Sequence, residues 1–522
     1  MPKVRVGYCT DAEGNLEWFR KYVEVSEVLV YEANDALALV DDEAFFVFGG
    51  DAVDKGNGDL RLCRSLADLK KRYPERVFLL VGNRDLNKLR MTSELSAAAM
   101  QLSPAEVPRP HWDDDVPSYE EYLGEKDDTR PMRLKWMLQH TLGCPETFEH
   151  RRSELALLRG QGVSADVSVD DAAVVSDEAV VDSFVSEVMP GGALRDYLEN
   201  ADVAVRLGIT LFVHGAVDTL TAGYVPPVTT PFRKAKATDL AYPPGRRFFE
   251  GPGSLKPDAW IRGLNDLLKE GLEDHQKTPL FYESKSSLVA RDPHYYPHRG
   301  GEALMALQNR ASVWGRSIVS NCYCDGGNPD SPEAADRRQK KWREVDLLAA
   351  DVAPTVFEAA TGYTSDCRDP DVAKWLLDAG IRRVVVGHRP TGDSPAILSS
   401  KFTGVELVSA DTSYSDVRAP DNRGLAVPAV TIEGDSHDVS RTRIHGILKD
   451  GRPYEALLPA LGGCDHHLEG DLLLGTEDHD GWWYKATLDD GNRYLQCKGA
   501  GRRVQYRDIP RPGASPPSSS SD

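Results

Sequence analysis

The chain has no apolar run that approaches the length needed to cross a bilayer, so we expect a protein that is not embedded in a membrane. It also has no signal-peptide pattern, because a strand pattern begins at Val4 after only Met-Pro-Lys. Cysteine is sparse: eight residues are scattered over 522 positions, which indicates reduced thiols rather than a disulfide framework. Together these absences predict a cytoplasmic protein.

Positive charge is also scarce. The chain carries 62 lysines and arginines against 82 aspartates and glutamates, which gives a formal net charge of -20. Such a surface repels phosphate backbones, so a nucleic-acid partner is not expected. With 522 residues, 41% of them hydrophobic, the chain can bury a large core but is too long for one ordinary domain. The composition leaves the oligomeric state open.

Three strand-loop-helix units open the chain. Strand patterns occur at Val4–Cys9, Phe45–Phe48 and Val77–Val81, and helical spacing follows each of them, over Leu16–Val28, Leu60–Arg72 and from Leu86. Such a succession predicts an α/β fold with a largely parallel sheet. The pattern resumes later, with a helix over Ala193–Leu207, a helix that begins at Asp369-Pro370, and strands at Ile209–Val213, Arg382–Val386, Glu406–Ala410 and Ala429–Glu433.

Other segments interrupt or follow this pattern and predict further modules. We expect a core over 1-90 and 195-440, a mostly helical insert or cap over 91-194, and a second insert over about 216-368. Short aromatic runs broken by Asp-Gly pairs favour hairpins, which predicts a small β-rich module over 441-509. The proline- and serine-rich tail, 510-522, is expected to be disordered.

Polar residues follow the predicted strands where each strand ends. Open α/β sheets place their sites at the carboxyl ends of strands, so these residues are expected to converge. Carboxylate, amide and imidazole groups together favour divalent metals, and one central aspartate could lie between two ions. The residues are Asp11 with Glu13, Asp51 with Asp54, Asn83 with Asp85, His214 and His388.

The order of these motifs resembles the calcineurin-like metallophosphoesterases, and the motifs are closest to those of the phosphoprotein phosphatases. The resemblance covers about residues 3 to 90, 195 to 220 and 380 to 433, and it is specific to the superfamily but not to a substrate. It rests on Asp11-Ala12-Glu13-Gly14-Asn15, Gly50-Asp51-Ala52-Val53-Asp54-Lys55-Gly56, Gly82-Asn83-Arg84-Asp85, His214-Gly215 and Gly387-His388.

The resemblance implies a four-layer sandwich of two sheets between helices, with a dinuclear metal centre and a metal-bound hydroxide that attacks phosphorus in line. Asp11 and Asp51 would hold the first metal, and Asp51 would also join Asn83, His214 and His388 around the second. Glu13 stands where the family usually has a histidine, and a carboxylate there favours Mn²⁺ or Mg²⁺ over an Fe/Zn pair. Alternatively, Glu13 points away and the first site is weak.

Arg84 stands where the family usually has the histidine that donates a proton to the leaving group. An arginine does not deprotonate near neutral pH, but it can stabilise a phosphoryl oxygen by charge and hydrogen bonds, with Asp85 expected to hold it. Loss of a general acid typically costs about 10² to 10⁴ in rate, and a good leaving group or a phosphoanhydride reduces that cost.

These patterns predict a metal-dependent phosphoester hydrolase that acts on a phosphorylated substrate, as a phosphomonoesterase or protein phosphatase. A first alternative is a nucleotide or dinucleoside-polyphosphate hydrolase, because Asp411-Thr412 is similar to a motif of symmetrical diadenosine tetraphosphate hydrolases and an anhydride would tolerate Arg84 better. A second alternative is a binding scaffold of the same fold with impaired chemistry, which the substitutions at Glu13 and Arg84 favour.

Overall fold

The computed structural model of the chain describes fifteen stretches of it, which together contain all of the predicted site residues. They are residues 3–107, 116–160, 175–217, 221–225, 246–247, 256–279, 300–308, 318, 370–399, 404–412, 425–435, 438–461, 470–489, 491–498 and 505–513. Most of the predicted second insert lies outside these residues, as do Asp369 and the end of the predicted tail from 514 onward.

The strands of the described residues are numbered in chain order. They are β1 (Lys3–Cys9), β2 (Leu29–Tyr31), β3 (Leu37–Leu39), β4 (Ala44–Phe48), β5 (Val77–Leu80), β6 (Ala201–Asp202), β7 (Ala204–Leu207), β8 (Thr210–Val213), β9 (Tyr224–Val225), β10 (Arg246–Arg247), β11 (Arg383–Val386), β12 (Ala396–Ser399), β13 (Glu406–Ser409), β14 (Val427–Asp435), β15 (Asp438–Ile447), β16 (Pro453–Leu457), β17 (Trp483–Leu488), β18 (Arg493–Lys498) and β19 (Gln505–Pro510).

The α-helices of the same residues are also numbered in chain order. They are α1 (Leu16–Val25), α2 (Asp59–Arg72), α3 (Asn83–Asn87), α4 (Met91–Glu94), α5 (Tyr119–Leu123), α6 (Arg130–Trp136), α7 (Thr147–Gly160), α8 (Asp177–Ser186), α9 (Ala193–Glu199), α10 (Pro257–Lys277), α11 (Met305–Gln308) and α12 (Pro370–Asp378). None of them combines the length and the apolar composition that a bilayer span requires.

The larger sheet has ten strands in the order β19-β18-β17-β16-β15-β14-β1-β4-β5-β6. Its β1, β4, β5 and β6 run parallel, as the three strand-loop-helix units predict. From β14 onward every pairing is antiparallel. The prediction of a largely parallel sheet therefore holds for only one side of it.

The second sheet has five strands in the order β12-β13-β11-β8-β7. Its central strands β8, β11 and β13 are parallel to one another, and β7 and β12 pair antiparallel at the two edges. The structure is thus a mixed α/β fold with two large sheets, which confirms the predicted α/β class.

The two sheets share an apolar core. Val6, Tyr8 and Val47 of the larger sheet belong to the same buried cluster as Phe212 and Val385 of the second sheet. The rings of Tyr8 and Phe212 stack with centroids 5.7 Å apart. This packing brings the carboxyl ends of β1 and β4 next to those of β8 and β11.

Helices cover the other side of the larger sheet. Helix α1 begins at an Asn15 cap, whose side-chain oxygen accepts a hydrogen bond from Trp18 N at 3.0 Å. Its apolar face packs on β4, with the ring of Phe19 against Phe48 and that of Tyr22 against Phe46. Tyr197 of α9 also contacts Phe48 on this face, and Val47 on the opposite face is buried in the core between the sheets, so strand β4 is buried on both faces.

The helices α4 to α8 of the predicted helical insert form a second apolar cluster. It contains Tyr119, Leu134, Trp136 and Phe184, with the rings of Tyr119 and Trp136 in edge contact. The insert also contacts the strand-loop-helix units, because the Glu154 carboxylate of α7 accepts hydrogen bonds from the backbone N–H groups at the start of α2. The insert therefore supports the loop that precedes α2.

The C-terminal strands β15 to β19 continue the larger sheet. The hairpin predicted from the Asp490-Gly491 pair is present, since β17 and β18 pair antiparallel on either side of it. Asp490 itself lies outside the described residues. Four cysteines, Cys9, Cys63, Cys144 and Cys497, are buried free thiols.

The prediction of one helix over Ala193–Leu207 is wrong in its second half. Helix α9 ends at Glu199, and β6 and β7 follow it. The apolar residues Val203, Val205 and Leu207 alternate with their neighbours, which is the period of a strand. Antiparallel pairing of β7 with β8 at the edge of the second sheet makes this segment a strand instead of a continuation of the helix.

Candidate metal centre

Loops from both sheets meet at the carboxyl ends of β1, β4, β5, β8 and β11. Backbone hydrogen bonds join them, from Asp11 N to Gly50 O at 3.0 Å and from Gly387 N to His214 O at 2.9 Å. The Asp11 side chain ties the two sheets together, because its Oδ2 accepts a hydrogen bond from His388 N at 2.9 Å. The predicted convergence of the strand ends is therefore what the structure shows.

The backbone at these loops adopts the left-handed conformation that most residues avoid. Asp11, Glu13, Asp51 and His388 have φ values of 54°, 45°, 54° and 69°, and Asp54 has a φ of 129°. Only two further described non-glycine residues have positive φ, and both lie in turns. Strained φ values cluster at functional sites, where the surrounding contacts hold them in place.

Three side chains at this junction converge closely enough to bind one cation. One ligand atom each from Asp51, His214 and His388 lies within 4.8 Å of the other two. Asn83 joins them, since its Oδ1 lies 3.3 Å from Nε2 of His214. Four of the six predicted metal ligands are thus brought together, and Asp11 lies beside them through its contact with His388.

Hydrogen bonding fixes the protonation of the His214 ring. Its Nδ1 lies 2.8 Å from the Gly49 carbonyl oxygen, which can only accept, so Nδ1 carries the hydrogen. In a neutral ring the Nε2 lone pair then faces Oδ2 of Asp51 at 3.4 Å and Oδ1 of Asn83 at 3.3 Å. A lone pair surrounded by oxygen acceptors requires either a proton or a metal ion, and this donor set fits a divalent metal.

The pKa shifts of the ionisable groups at this junction also show that it favours a positive charge. Burial lowers the pKa of His214, but the Asp51 and Asp11 carboxylates outweigh burial and raise it to about 10. Burial raises the pKa of Asp51, but the charges of His214, Arg84 and His388 hold it below its usual range. Burial and the charge of Asp51 raise the pKa of Asp11 to about 7, against the lowering effect of His214.

Glu13 has different partners from those that a ligand role requires. Its Oε1 lies 2.7 Å from Nε of Arg84, and its Oε2 lies 3.2 Å from Nζ of Lys55. The side chain is 2% exposed. Glu13 is absent from the group of three converging ligands, so the structure places it in an ion-pair network beside that group.

Arg84 is the centre of that network. Besides the contact with Glu13, its Nη1 lies 3.1 Å from Oδ2 of Asp54 and its Nε lies 3.6 Å from Oδ2 of Asp51. Asp54 also pairs with Lys88, whose Nζ lies 2.6 Å from Oδ1. Arg84, Lys55 and Lys88 thus face three carboxylates, those of Glu13, Asp51 and Asp54.

The prediction that Asp85 holds the Arg84 side chain is corrected by the structure. The Asp85 carboxylate accepts three backbone hydrogen bonds, from Asp51 N at 2.9 Å, Ala52 N at 2.8 Å and Gly82 N at 2.8 Å. These bonds fasten the loop after β4 to the loop after β5. Asp85 is therefore a positioning residue, because it folds back onto the backbone while the guanidinium extends toward Glu13 and Asp54.

Gly82 and Gly387 are required by close approach of the loops. A Cβ at Gly82 would lie 2.0 Å from Oδ1 of Asp51, and a Cβ at Gly387 would lie 2.2 Å from Oδ2 of Asp11. Both contacts are impossible, so any side chain there would displace a carboxylate of the junction. This explains why each of Asn83 and His388 follows a glycine.

Lys88 is the main site residue that the sequence does not reveal. It is 2% exposed, donates a hydrogen bond to Arg84 O at 3.0 Å and pairs with Asp54. The available signal is its place four residues after Arg84, one helical turn along the chain. The position of Lys55 within the glycine-rich motif is visible in the sequence, but its pairing with Glu13 is not.

Comparison with known proteins adds little to this geometry. No protein-family model matches the chain, and no curated protein matches it. Two of the solved structures that resemble it are protein phosphatases. One is a cold-active protein-tyrosine phosphatase of the psychrophile Shewanella sp., 12% identical, with a TM-score of 0.34 over 87% of this chain and 80% of that one.

The other is a protein serine/threonine phosphatase from Saccharomyces cerevisiae with similarity to human phosphatase PP5. It is 11% identical, with a TM-score of 0.30 over 88% of this chain and 82% of that one. At such TM-scores neither likeness carries an argument about the activity of this chain. Both of these structural neighbours are phosphatases.

Proposed function

We propose that the chain is a metal-dependent phosphoester hydrolase whose centre lies at the carboxyl ends of β1, β4, β5, β8 and β11. The observation that carries this proposal is the His214 ring. Its Nδ1 donates to Gly49 O, and its Nε2 faces the oxygens of Asp51 and Asn83. Such a ring, held by a backbone carbonyl on one side and directed at oxygen ligands on the other, is the arrangement of a metal-binding histidine.

Asp51, Asn83, His214 and His388 are the residues that would hold a divalent ion. Two oxygen donors and two imidazoles admit Mn²⁺, Zn²⁺ or iron, and with Glu13 outside the ligand group the preference for Mn²⁺ or Mg²⁺ no longer follows from its carboxylate. When bound, the ion would act as a Lewis acid on a phosphoryl oxygen and would make water a nucleophile near neutral pH. The protein supplies the orientation of the ligands.

Other residues of the chain keep these ligands in place. Asp85 fastens the loops that carry Asp51 and Asn83, and the Asp11 carboxylate holds the backbone of His388. Thr10 Oγ1 donates to the same Asp11 oxygen at 2.5 Å, which fixes the carboxylate. Preorganised loops of this kind let a site stabilise charge without rearranging at the moment of reaction.

The fold proposed for this activity is the four-layer sandwich of the metallophosphoesterases. Two features support it. The two sheets share one apolar core, and helices pack on the other side of the larger sheet through Phe46 and Phe48. On the second sheet, α10 and α12 contact each other through Trp260 and Trp375, which belong to the same buried cluster as Leu211 and Val384.

The chemistry of Arg84 limits the class of substrate that the site can hydrolyse. Its guanidinium remains charged, because the carboxylates of Glu13, Asp54 and Asp51 outweigh burial and raise its pKa well above the usual value. It can offer charge to a phosphoryl group but no proton to a leaving group. We therefore propose a phosphate ester with a good leaving group or a phosphoanhydride, such as a nucleotide or dinucleoside polyphosphate, as the preferred substrate.

The experiment compares p-nitrophenyl phosphate, phenyl phosphate and diadenosine tetraphosphate with Mn²⁺, Mg²⁺ or Zn²⁺ added to the metal-stripped chain. We expect turnover of the first and third, with phenyl phosphate slower by at least about 10²-fold because no general acid assists its poorer leaving group. Equal rates for the two esters would contradict the role assigned to Arg84. If no substrate is turned over with any metal, the proposal of a hydrolase is contradicted, and a binding scaffold of the same fold is the alternative that remains.

A further inference from the structure

The Glu13 carboxylate is fully engaged by cations of the chain itself. Both oxygens are used, Oε1 by Nε of Arg84 at 2.7 Å and Oε2 by Nζ of Lys55 at 3.2 Å. The pair with Lys55 is buried, with side-chain exposures of 9% and 2%. A metal ion at Glu13 would have to displace both cations, and each of them would then be left buried without that partner.

The Asp51 carboxylate is used in the same way from two sides. Its Oδ2 lies 3.4 Å from Nε2 of His214 and 3.6 Å from Nε of Arg84, and its Oδ1 accepts a hydrogen bond from Arg84 N at 2.9 Å. A dinuclear centre would place the Asp51 carboxylate between two ions. In the structure it lies between the His214 ring on one side and the Arg84 guanidinium on the other.

Cations of the chain already pair with the carboxylates on this side of Asp51. Three carboxylates, those of Glu13, Asp51 and Asp54, face three cations, those of Arg84, Lys55 and Lys88. A second dication placed beside buried Arg84 would add two positive charges at short range, where the protein interior screens them poorly. Asp11, the other residue expected at that ion, already uses Oδ2 for Thr10 and His388.

We propose that Arg84 takes the place of the first divalent ion, the one expected at Asp11, Glu13 and Asp51, so that the centre binds one metal ion per chain. The dinuclear centre implied by the sequence motifs does not fit the residues present, because the guanidinium supplies the charge that a first ion would bring to Glu13 and Asp51. This inference rests on the proposed function, since it requires that Asp51, Asn83, His214 and His388 bind a divalent ion.

Mn²⁺ binding to the metal-stripped full chain tests the inference without any measurement of activity. Isothermal titration calorimetry and elemental analysis after dialysis give the number of ions, and electron paramagnetic resonance reports whether they are isolated. We expect one Mn²⁺ per chain with the six-line signal of an isolated ion. Two ions with a coupled signal would overturn the inference and leave the proposed function intact, whereas no bound ion would overturn both.

A variant isolates the contribution of Arg84. Arg84→Gln removes the charge that faces Glu13 and Asp51, so we expect a second Mn²⁺ to bind and the spectrum to show coupling between the ions. Arg90→Gln is the matched control, because Arg90 is equally buried and pairs with Glu94 away from the site; it should still bind one ion. If folded Arg84→Gln, checked by circular dichroism, still binds only one ion, Arg84 is not what excludes the second.

Discussion

Nε2 of His214 lies 3.4 Å from Oδ2 of Asp51, while Nδ1 of the same ring lies 2.8 Å from the Gly49 carbonyl oxygen. The strand ends of both sheets are needed for this relationship, since Asp51 follows β4 and His214 follows β8. The backbone contact determines which nitrogen is left for the carboxylate. The proposed metal centre depends on that orientation.

Asp85→Asn should destabilise the protein although it is nearly isosteric. The amide nitrogen would face a backbone N–H group, because the carboxylate accepts hydrogen bonds from Asp51, Ala52 and Gly82. We expect a loss of about 1–3 kcal/mol in the free energy of unfolding, the cost of an unsatisfied buried donor. Urea denaturation at pH 8 measures it. Asp68→Asn on the exposed side of α2 is the control, and equal stability of the two variants would refute the positioning role of Asp85.

Arg151→Met should cost more than Arg152→Met, its neighbour on α7. Nη2 of Arg151 lies 3.1 Å from Oδ2 of buried Asp59, and Asp59 in turn accepts a hydrogen bond from Asp54 N at 2.9 Å. Removing the cation leaves buried carboxylates unpaired, so we expect a loss of about 3–5 kcal/mol.

Arg152 pairs with exposed carboxylates, and its substitution should cost less than about 1 kcal/mol. The comparison is made by thermal and urea denaturation of the two variants. Similar losses would contradict the larger contribution to stability assigned to the buried Arg151–Asp59 ion pair.

Lys485→Met should weaken metal binding from a distance. Lys485 is buried in β17, and its Nζ donates to Thr391 O and Ser394 O, both at 2.7 Å, in the loop that follows His388. Methionine fills the space but cannot donate, so the loop loses two hydrogen bonds. We expect Mn²⁺ affinity to fall about tenfold, as for other residues that support a metal ligand. Calorimetry measures the affinity, with exposed Lys449→Met as the control. Unchanged Mn²⁺ affinity in Lys485→Met would show that this contact does not support the metal ligands.

His275 should make stability depend on pH below neutrality. Arg195 donates to its Nδ1 at 3.3 Å, so Nε2 carries the hydrogen that faces Thr92 Oγ1 at 3.1 Å. Burial, and then the charge of Arg195, lower the pKa of His275 to about 4.

The unfolded chain therefore takes up a proton below pH 6.5 that the folded protein does not, so stability is lost as pH falls from 6.5 to about 4. The loss from this group is about 3 kcal/mol. His275→Gln should show a flatter stability profile over that range, and exposed His479→Gln should follow the wild type. Parallel profiles for all three proteins would contradict the buried neutral state of His275.

The sequence predicts the strand ends well because their signal is local. Apolar runs that stop at Asp51, Asn83, His214 and His388 indicate both the strand and its polar terminus, and the structure brings these four residues together. The helix predicted over Ala193–Leu207 is wrong beyond Glu199, because pairing with β8 decides the conformation of a segment whose own pattern is ambiguous.

The ion pairs of the site could not be predicted in the same way. Glu13 and Arg84 follow different strands, and only the hydrogen bonds between the loops bring them to 2.7 Å. The motif comparison suggests a ligand at Glu13 and a partner for Arg84 at Asp85. In the structure Glu13 pairs with Arg84 and Lys55, and Asp85 accepts hydrogen bonds from backbone N–H groups. For buried Lys88 the only sequence signal is its place four residues after Arg84, which does not indicate its pairing with Asp54.

The most direct test of the proposed centre is a titration of the metal-stripped chain with Mn²⁺ while the initial rate of p-nitrophenyl phosphate hydrolysis is recorded. Asp51→Asn removes a charged ligand, and Asp35→Asn is its matched control, because Asp35 also has positive φ but lies in an exposed turn. We predict a rate that rises with bound Mn²⁺ and saturates, is unchanged in Asp35→Asn and falls at least about 10²-fold in Asp51→Asn. Turnover that needs no metal, or that is equal in Asp51→Asn, would contradict a metal-dependent hydrolase.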